Sequence, residues 1–233
     1  MSNVLFKDLF YNGVLIKTTK IKSKSKAEEC ITVSCGDLVT RIARRQADYD
    51  LGGFEGLFGI PGTVGGMIRQ NAGAFGYEIA DRFLEASCYC IKERSIRKFT
   101  KEEMNFSYRD SILKDKNFVL LNATLGFIHK RRENIFTEVN EYSLKRRDTQ
   151  PTQLPSLGSV FKRCGDIGAG YYIDKAGLKG YSIGGALVSP KHAGFIVNTG
   201  SATAKEFIEL MYFVKERVRG AFGIELEEEI EII

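Results

Sequence analysis

Hydrophobic positions after residue 200 recur at helical spacing. Phe207, Leu210, Met211, Val214 and Val218 fall on one face of a helix. Thr203, with Glu206 three residues later, predicts a capping box at its start, and Gly220 and Gly223 are expected to end it. The terminal run IELEEEIEII then changes to a period of two. Ile224, Leu226, Ile230 and Ile232 face one way and Glu225, Glu227, Glu229 and Glu231 the other, as in a half-buried strand. Leu38, Val39, Ile42 and Ala43 predict an amphipathic helix within 36–48, and the charged stretch 134–147 predicts another, with Pro151 just beyond its end. Residues 86–91, 118–127 and 194–198 read as strands. LPSLGSVFKR reads as a loop entering a strand, and YYIDKAGLKG as a short helix closed by Gly177. Near the start, 4–6 and 13–18 read as two strands around a turn at Tyr11–Asn12–Gly13.

These elements make an α+β pattern in two domains, 1–150 and 151–233. No apolar run is long enough to cross a bilayer, and the first residues lack the apolar core and cleavage site of a secretory signal. Five cysteines without a CxxC pair argue for reduced thiols rather than a disulfide framework or a zinc site. Cys88 and Cys90 fall on one strand face and read as buried and structural. With only His129 and His192 a histidine-rich metal centre is excluded, and no metal is expected. His192, in PKHAGF, reads equally as a substrate contact or as packing beneath a turn. The net charge of +5 is spread along the chain, which suits small anions better than nucleic acid.

The segment GIPGTVGGMIRQNAGAFG, residues 59–76, is rich in glycine and has no aspartate or glutamate. Each interior glycine costs a helix about 1 kcal/mol relative to alanine, so a tightly turning loop is expected. Glycine-rich turns can present backbone N–H groups to an anion. Neither GxxxxGK[ST] nor a GxGxxG that opens a helix after a strand is present. Composition alone leaves cofactor contact and a compact crossover as equal readings.

The order of residues is more specific. GIPGTVGG followed by QNAGAFGYEIAD resembles the flavin-binding signature of the UDP-N-acetylenolpyruvoylglucosamine reductases, also called UDP-N-acetylmuramate dehydrogenases. SNVL near the start, SYRDS at 107–111, PSLGSVFK at 155–162, HAGFIVNTGSATAKEF at 192–207 and the glutamate-rich terminal strand resemble the same family in the same order. The resemblance implies an FAD-binding domain of the vanillyl-alcohol-oxidase/reductase type and a smaller α+β substrate domain. It also implies a cytoplasmic, monomeric enzyme of peptidoglycan precursor synthesis. Its bound FAD would take a hydride from NADPH and reduce the enolpyruvyl ether of a UDP-sugar, with no nucleic-acid or membrane partner.

By this carry-over Ser2, Asn3, Gly59, Ile60, Pro61, Gly62, Thr63, Gly66, Asn71, Ala72, Gly73 and Gly76 line the cofactor. Ser159 donates a proton to the carbanion, and Arg109 and Glu229 polarise the substrate carboxylate. Tyr108, Lys162 and Arg163 contact substrate. Hydride addition to an enol ether leaves negative charge beside a carboxylate, which calls for a cation or acid and a proton donor. Read without the family, Ser159 is a turn residue, Arg109 beside Asp110 a surface ion pair, and Glu229 part of a solvated acidic face. Two other readings stand beside this one: a flavin-free fragment that binds a UDP-sugar, and another FAD-linked sugar oxidoreductase. The family has glycines and further strands before its Ser-Asn, whereas here Met1 directly precedes Ser2–Asn3. A start truncated within the flavin domain is therefore expected. The compact 165–200 region implies the short form of the family, without an extra substrate-capping loop.

Overall fold

Four antiparallel strands, in the order Cys30–Ser34, Phe118–Gly126, Phe83–Cys90 and Ser95–Thr100, form the sheet of one of two compact units. The protein is seen in a computed structural model that describes residues 2–7, 11–23 and 27–233. Met1, on which the expectation of a truncated start falls, lies outside the described residues.

This unit comprises residues 15–144. Helix α1 (Val39–Ala47) buries Val39, Ile42, Ala43 and Ala47, while Leu38, expected on that face, is its exposed N-cap. The core gathers Val33, Phe54, Leu57, Ile68, Phe83, Ala86, Ala123 and Leu125. Cys88 and Cys90 are both fully buried in it, as their alternation predicts. A helix also interrupts the glycine-rich stretch: α2 (Val64–Arg69) stands where a loop is expected. Thr63 caps it by accepting from the amide of Gly66, and Val64, Met67 and Ile68 are buried. A cap and three buried side chains outweigh the cost of Gly65 and Gly66 in so short a helix. Gly65 has a steric reason: a Cβ there would lie 3.2 Å from the carbonyl oxygen of Cys35.

The predicted N-terminal hairpin does not form. Val4–Leu5 pairs in parallel with Glu231–Ile232 instead, and Val14, Leu15 and Ile16 are exposed outside any strand. The other unit therefore joins residues up to Val14 with residues 145–233, where the sequence suggested a single break near 150. Its sheet has the antiparallel order Ser156–Ser159, Phe195–Asn198, Ala186–Val188 and Ser182–Ile183.

Helix α3 (Arg132–Thr149) runs through the predicted charged stretch and buries Ile135 and Val139. Helix α4 (Ala169–Lys175) is followed by Gly177 at φ +72°. Helix α5 (Ala204–Phe222) buries the five predicted residues, each contributing roughly 1.5–3 kcal/mol. The capping box of Thr203 and Glu206 is present. Gly220 lies inside the helix, and only Gly223, left-handed at φ +68°, ends it. The long terminal strand is shorter than its alternation suggests. Only Glu231–Ile232 is a strand, preceded by an isolated antiparallel bridge between Phe161 and Glu228.

Candidate active-site residues

In the first unit the site residues converge on the turn at 107–111. Ser107 and Asp110 exchange backbone hydrogen bonds of 3.2 and 3.1 Å, which leaves Arg109 left-handed at φ +55°. Its guanidinium turns back onto the glycine-rich stretch and donates to the carbonyl oxygens of Asn71 (3.4 Å) and Gly73 (3.0 Å). It also lies 5.1 Å from the centre of the Tyr108 ring. Asp110, its neighbour in the turn, stands 3.9 Å from Lys114.

Asn71 is 1% exposed, so its side chain is committed inside the protein rather than to an open surface. Its Nδ2 donates to Glu78 Oε2 (2.8 Å) and to the Ser107 carbonyl (3.0 Å), and its Oδ1 accepts from the amide of Ala80 (3.3 Å).

Several amides of 59–76 are also spent internally. Val64 N–H donates to Asp37 O, Gly65 to Cys35 O, Ile60 to Leu57 O, Asn71 to Ile68 O and Ala72 to Met67 O. With Gly66 bound to Thr63 Oγ1, the start of α2 is closed by the protein's own acceptors. A diphosphate read by backbone N–H groups would use others of this stretch. The chemistry of the stretch still fits a bound dinucleotide. It carries no carboxylate, and a Cβ at Gly76, φ +83°, would meet nothing within 4 Å. Gly73 is instead a packing glycine, since a Cβ there would sit 2.7 Å from Tyr77 O.

The hairpin that ends this stretch is fastened to α3. Tyr77 donates its hydroxyl to Glu138 (2.9 Å), and Lys130 reaches both Glu138 (2.6 Å) and the buried Glu55 (3.3 Å). Phe75 stacks on Tyr142 at 4.8 Å. The Lys130 hydrogen bond lowers the Glu138 pKa, and burial with the Glu138 bond raises that of Tyr77. Nothing in the local sequence signals this network, because Tyr77 and Glu138 are 61 residues apart.

In the second unit, Ser159 ends its strand after Gly158, which is left-handed at φ +82°. Its hydroxyl donates to the carbonyl of Phe161 at 3.0 Å. The next residues pair with the C-terminal segment: Glu229 N–H donates to Val160 O and Lys162 N–H to Glu227 O, each at 2.8 Å. Directly opposed residues share a face, so Lys162 stands beside Glu227 and forms an ion pair with it. Glu228, opposite Phe161, pairs with Lys215 of α5 at 2.5 Å. Asn3, expected at the cofactor, donates its Nδ2 to the Glu229 carbonyl (3.1 Å), while its own carbonyl accepts from Glu231 N–H (2.9 Å). Arg163 donates to the Asp166 carbonyl at 2.8 Å. His192 accepts from the amide of Gly194 through Nδ1 (3.1 Å) and lies edge-on to Phe195, and burial lowers its pKa.

Thus Arg109, Tyr108, Asn71 and Gly73 come together in one unit, and Asn3, Ser159, Lys162 and Glu229 belong to the other. Among the described residues no helix is long and apolar enough to cross a membrane, and no group of three or more His, Cys, Asp or Glu could hold a metal ion.

Residues 150–233 match the family described as UDP-N-acetylenolpyruvoylglucosamine reductase, C-terminal domain. Along its whole length the chain is 44% identical to the UDP-N-acetylenolpyruvoylglucosamine reductase of Caldicellulosiruptor saccharolyticus, of which it spans 75%. It is 41% identical to that of a Thermotoga species over 99% of this chain and 77% of the relative. Among solved structures, the reductase of Thermus caldophilus is similar with a TM-score of 0.77 and 33% identity, over 86% of this chain and 71% of that one.

Proposed function

The chain belongs to the UDP-N-acetylenolpyruvoylglucosamine reductases, a family of oxidoreductases, and we propose that it reduces the enolpyruvyl ether of UDP-N-acetylglucosamine to the lactyl ether of UDP-N-acetylmuramate. NADPH is the electron donor and FAD the bound cofactor in this reading, and the reaction belongs to peptidoglycan precursor synthesis in the cytoplasm. The FAD-binding domain is assigned to the N-terminal part of the chain and the substrate domain to the C-terminal part. One observation carries the reading beyond family membership. The cation the reaction calls for, Arg109, is hydrogen-bonded to the carbonyls of Asn71 and Gly73 within the glycine-rich stretch.

When bound, the flavin supplies the hydride taken from NADPH. Gly59, Pro61, Gly62, Thr63 and Gly76 are assigned to hold it. The new C–H bond leaves negative charge on the neighbouring carbon, delocalised into the substrate carboxylate. Arg109 stabilises that charge as a cation, and Glu229 does so only as the neutral acid, by donating a hydrogen bond. The proton that completes the product comes from Ser159 Oγ, whose O–H is directed at the Phe161 carbonyl until a better acceptor develops. Lys162 and Arg163 supply positive charge for the diphosphate.

The test is the visible spectrum of the purified protein after removal of excess FAD, recorded before and after NADPH and then the enolpyruvyl substrate. A stoichiometric flavin band that bleaches and returns supports the reading. A protein that cannot be loaded with flavin contradicts it.

A further inference from the structure

We infer that Asn71 is a positioning residue that sets the orientation of Arg109, and that it does so by gripping both the backbone turn and the guanidinium. The inference rests on the role given to Arg109 above and reassigns Asn71 from cofactor contact to orientation.

The carboxamide of Asn71 makes three bonds in a site 1% exposed. Its partners fix which way it points. Two acceptors, Glu78 Oε2 and Ser107 O, face Nδ2, and one donor, the Ala80 amide, faces Oδ1. Ser107 is the residue whose backbone closes the turn that carries Arg109. On the far side of that turn Ser111 Oγ donates to the Arg69 carbonyl at 3.0 Å, so the turn is held at both ends by the segment 69–71. The carbonyl of Asn71 then receives Arg109 Nη1. Asn71 therefore touches both the turn and the guanidinium it carries, beside the Arg69 carbonyl at the turn and the Gly73 carbonyl at the guanidinium.

The backbone of Asn71 is itself left-handed, at φ +37°. Asn71→Gly keeps that conformation available and removes the side chain with its carboxamide. Asn71→Asp keeps the volume but sets a carboxylate against Glu78 and the Ser107 carbonyl.

The direct readout is the nitrogen spectrum of the Arg109 guanidinium in the flavin-free protein, identified by its disappearance in Arg109→Lys. Resolved, slowly exchanging Nη signals are expected in the wild type. Both Asn71 variants should average them while the amide spectrum of the sheet stays unchanged. Where Asn71→Gly does not fold, Asn71→Asp decides. Wild-type guanidinium signals in a folded Asn71 variant overturn the inference.

Turnover gives a second readout. Asn71→Gly should lower it about ten- to a hundredfold, but less than about twofold when Arg109 is already alanine. Full additivity overturns the inference. If Arg109→Ala itself turns over normally, the proposed role of Arg109 fails, and the guanidinium spectrum alone judges Asn71.

Discussion

Lys162 and Glu227 face each other across the bridge between Phe161 and Glu228, and their side chains form an ion pair. The lysine side chain is 18% exposed and the glutamate 69%, so a half-sheltered cation is covered by a carboxylate open to water. An incoming diphosphate that uses Lys162 competes with Glu227 for its charge. Glu227→Gln should therefore tighten UDP binding about two- to fivefold at low salt, within the range of an exposed pair. Lys162→Ala should erase that gain. Calorimetric titration checks both, and an unchanged affinity in Glu227→Gln removes Lys162 from the diphosphate contact.

The capping box of α5 predicts a stability effect and a pH dependence. Thr203→Ala should cost about 1 kcal/mol in urea unfolding. The amides of Thr203 and Gly185 lower the pKa of Glu206. A carboxyl depressed in the folded state stabilises above its unfolded value and loses that contribution as pH falls through the folded one. Glu206→Gln should thus flatten the decline of Tm below about pH 4.3. A decline as steep as in the wild type would assign the acid sensitivity to other carboxylates.

The fastening of the glycine-rich hairpin to α3 has a similar signature. Lys130 depresses Glu138, so this bond weakens as pH falls. The Tyr77 pKa is raised, chiefly by burial, so its contribution is lost as pH rises through the folded value. Tyr77→Phe should lower stability by about 1 kcal/mol. Amide exchange at Gly73 and Ala74 should quicken in that variant. Unchanged exchange there would mean that the other contacts, among them the Phe75–Tyr142 stack, hold the hairpin without the Tyr77 hydroxyl.

The thiols should separate by burial. Cys30 is exposed and should react with a disulfide reagent at once. Burial pushes the Cys88 thiol up to about 12, and Cys35 and Cys90 are likewise buried, so these three should react only on unfolding. Rapid modification of more than two thiols in the native protein would contradict this packing.

Helix α5 was legible in its start and its buried face, because its five apolar positions and its capping box express one local period; only its end was misplaced, since Gly220 lies inside it. What the sequence did not reveal is non-local or compensated. Val4–Leu5 looks like half of a hairpin, yet its partner is Glu231–Ile232 at the other end of the chain, and periodicity names no partner. The glycines of α2 disfavour a helix locally, and burial of Val64, Met67 and Ile68 reverses that preference. Of the candidate site, the motifs proposed Arg109, Ser159 and Glu229. The inward turn of Asn71 and the sheltering of Lys162 by Glu227 depend on tertiary contacts that no spacing encodes.

The most direct test of the central claim separates the two halves of the reaction in Ser159→Ala. In an anaerobic stopped-flow experiment NADPH should bleach the flavin band at the wild-type rate. The enolpyruvyl substrate should then fail to restore it, with product formation down at least about a hundredfold. Restoration of the band and product at the wild-type rate would contradict the assignment of Ser159 as proton donor and the mechanism built on it.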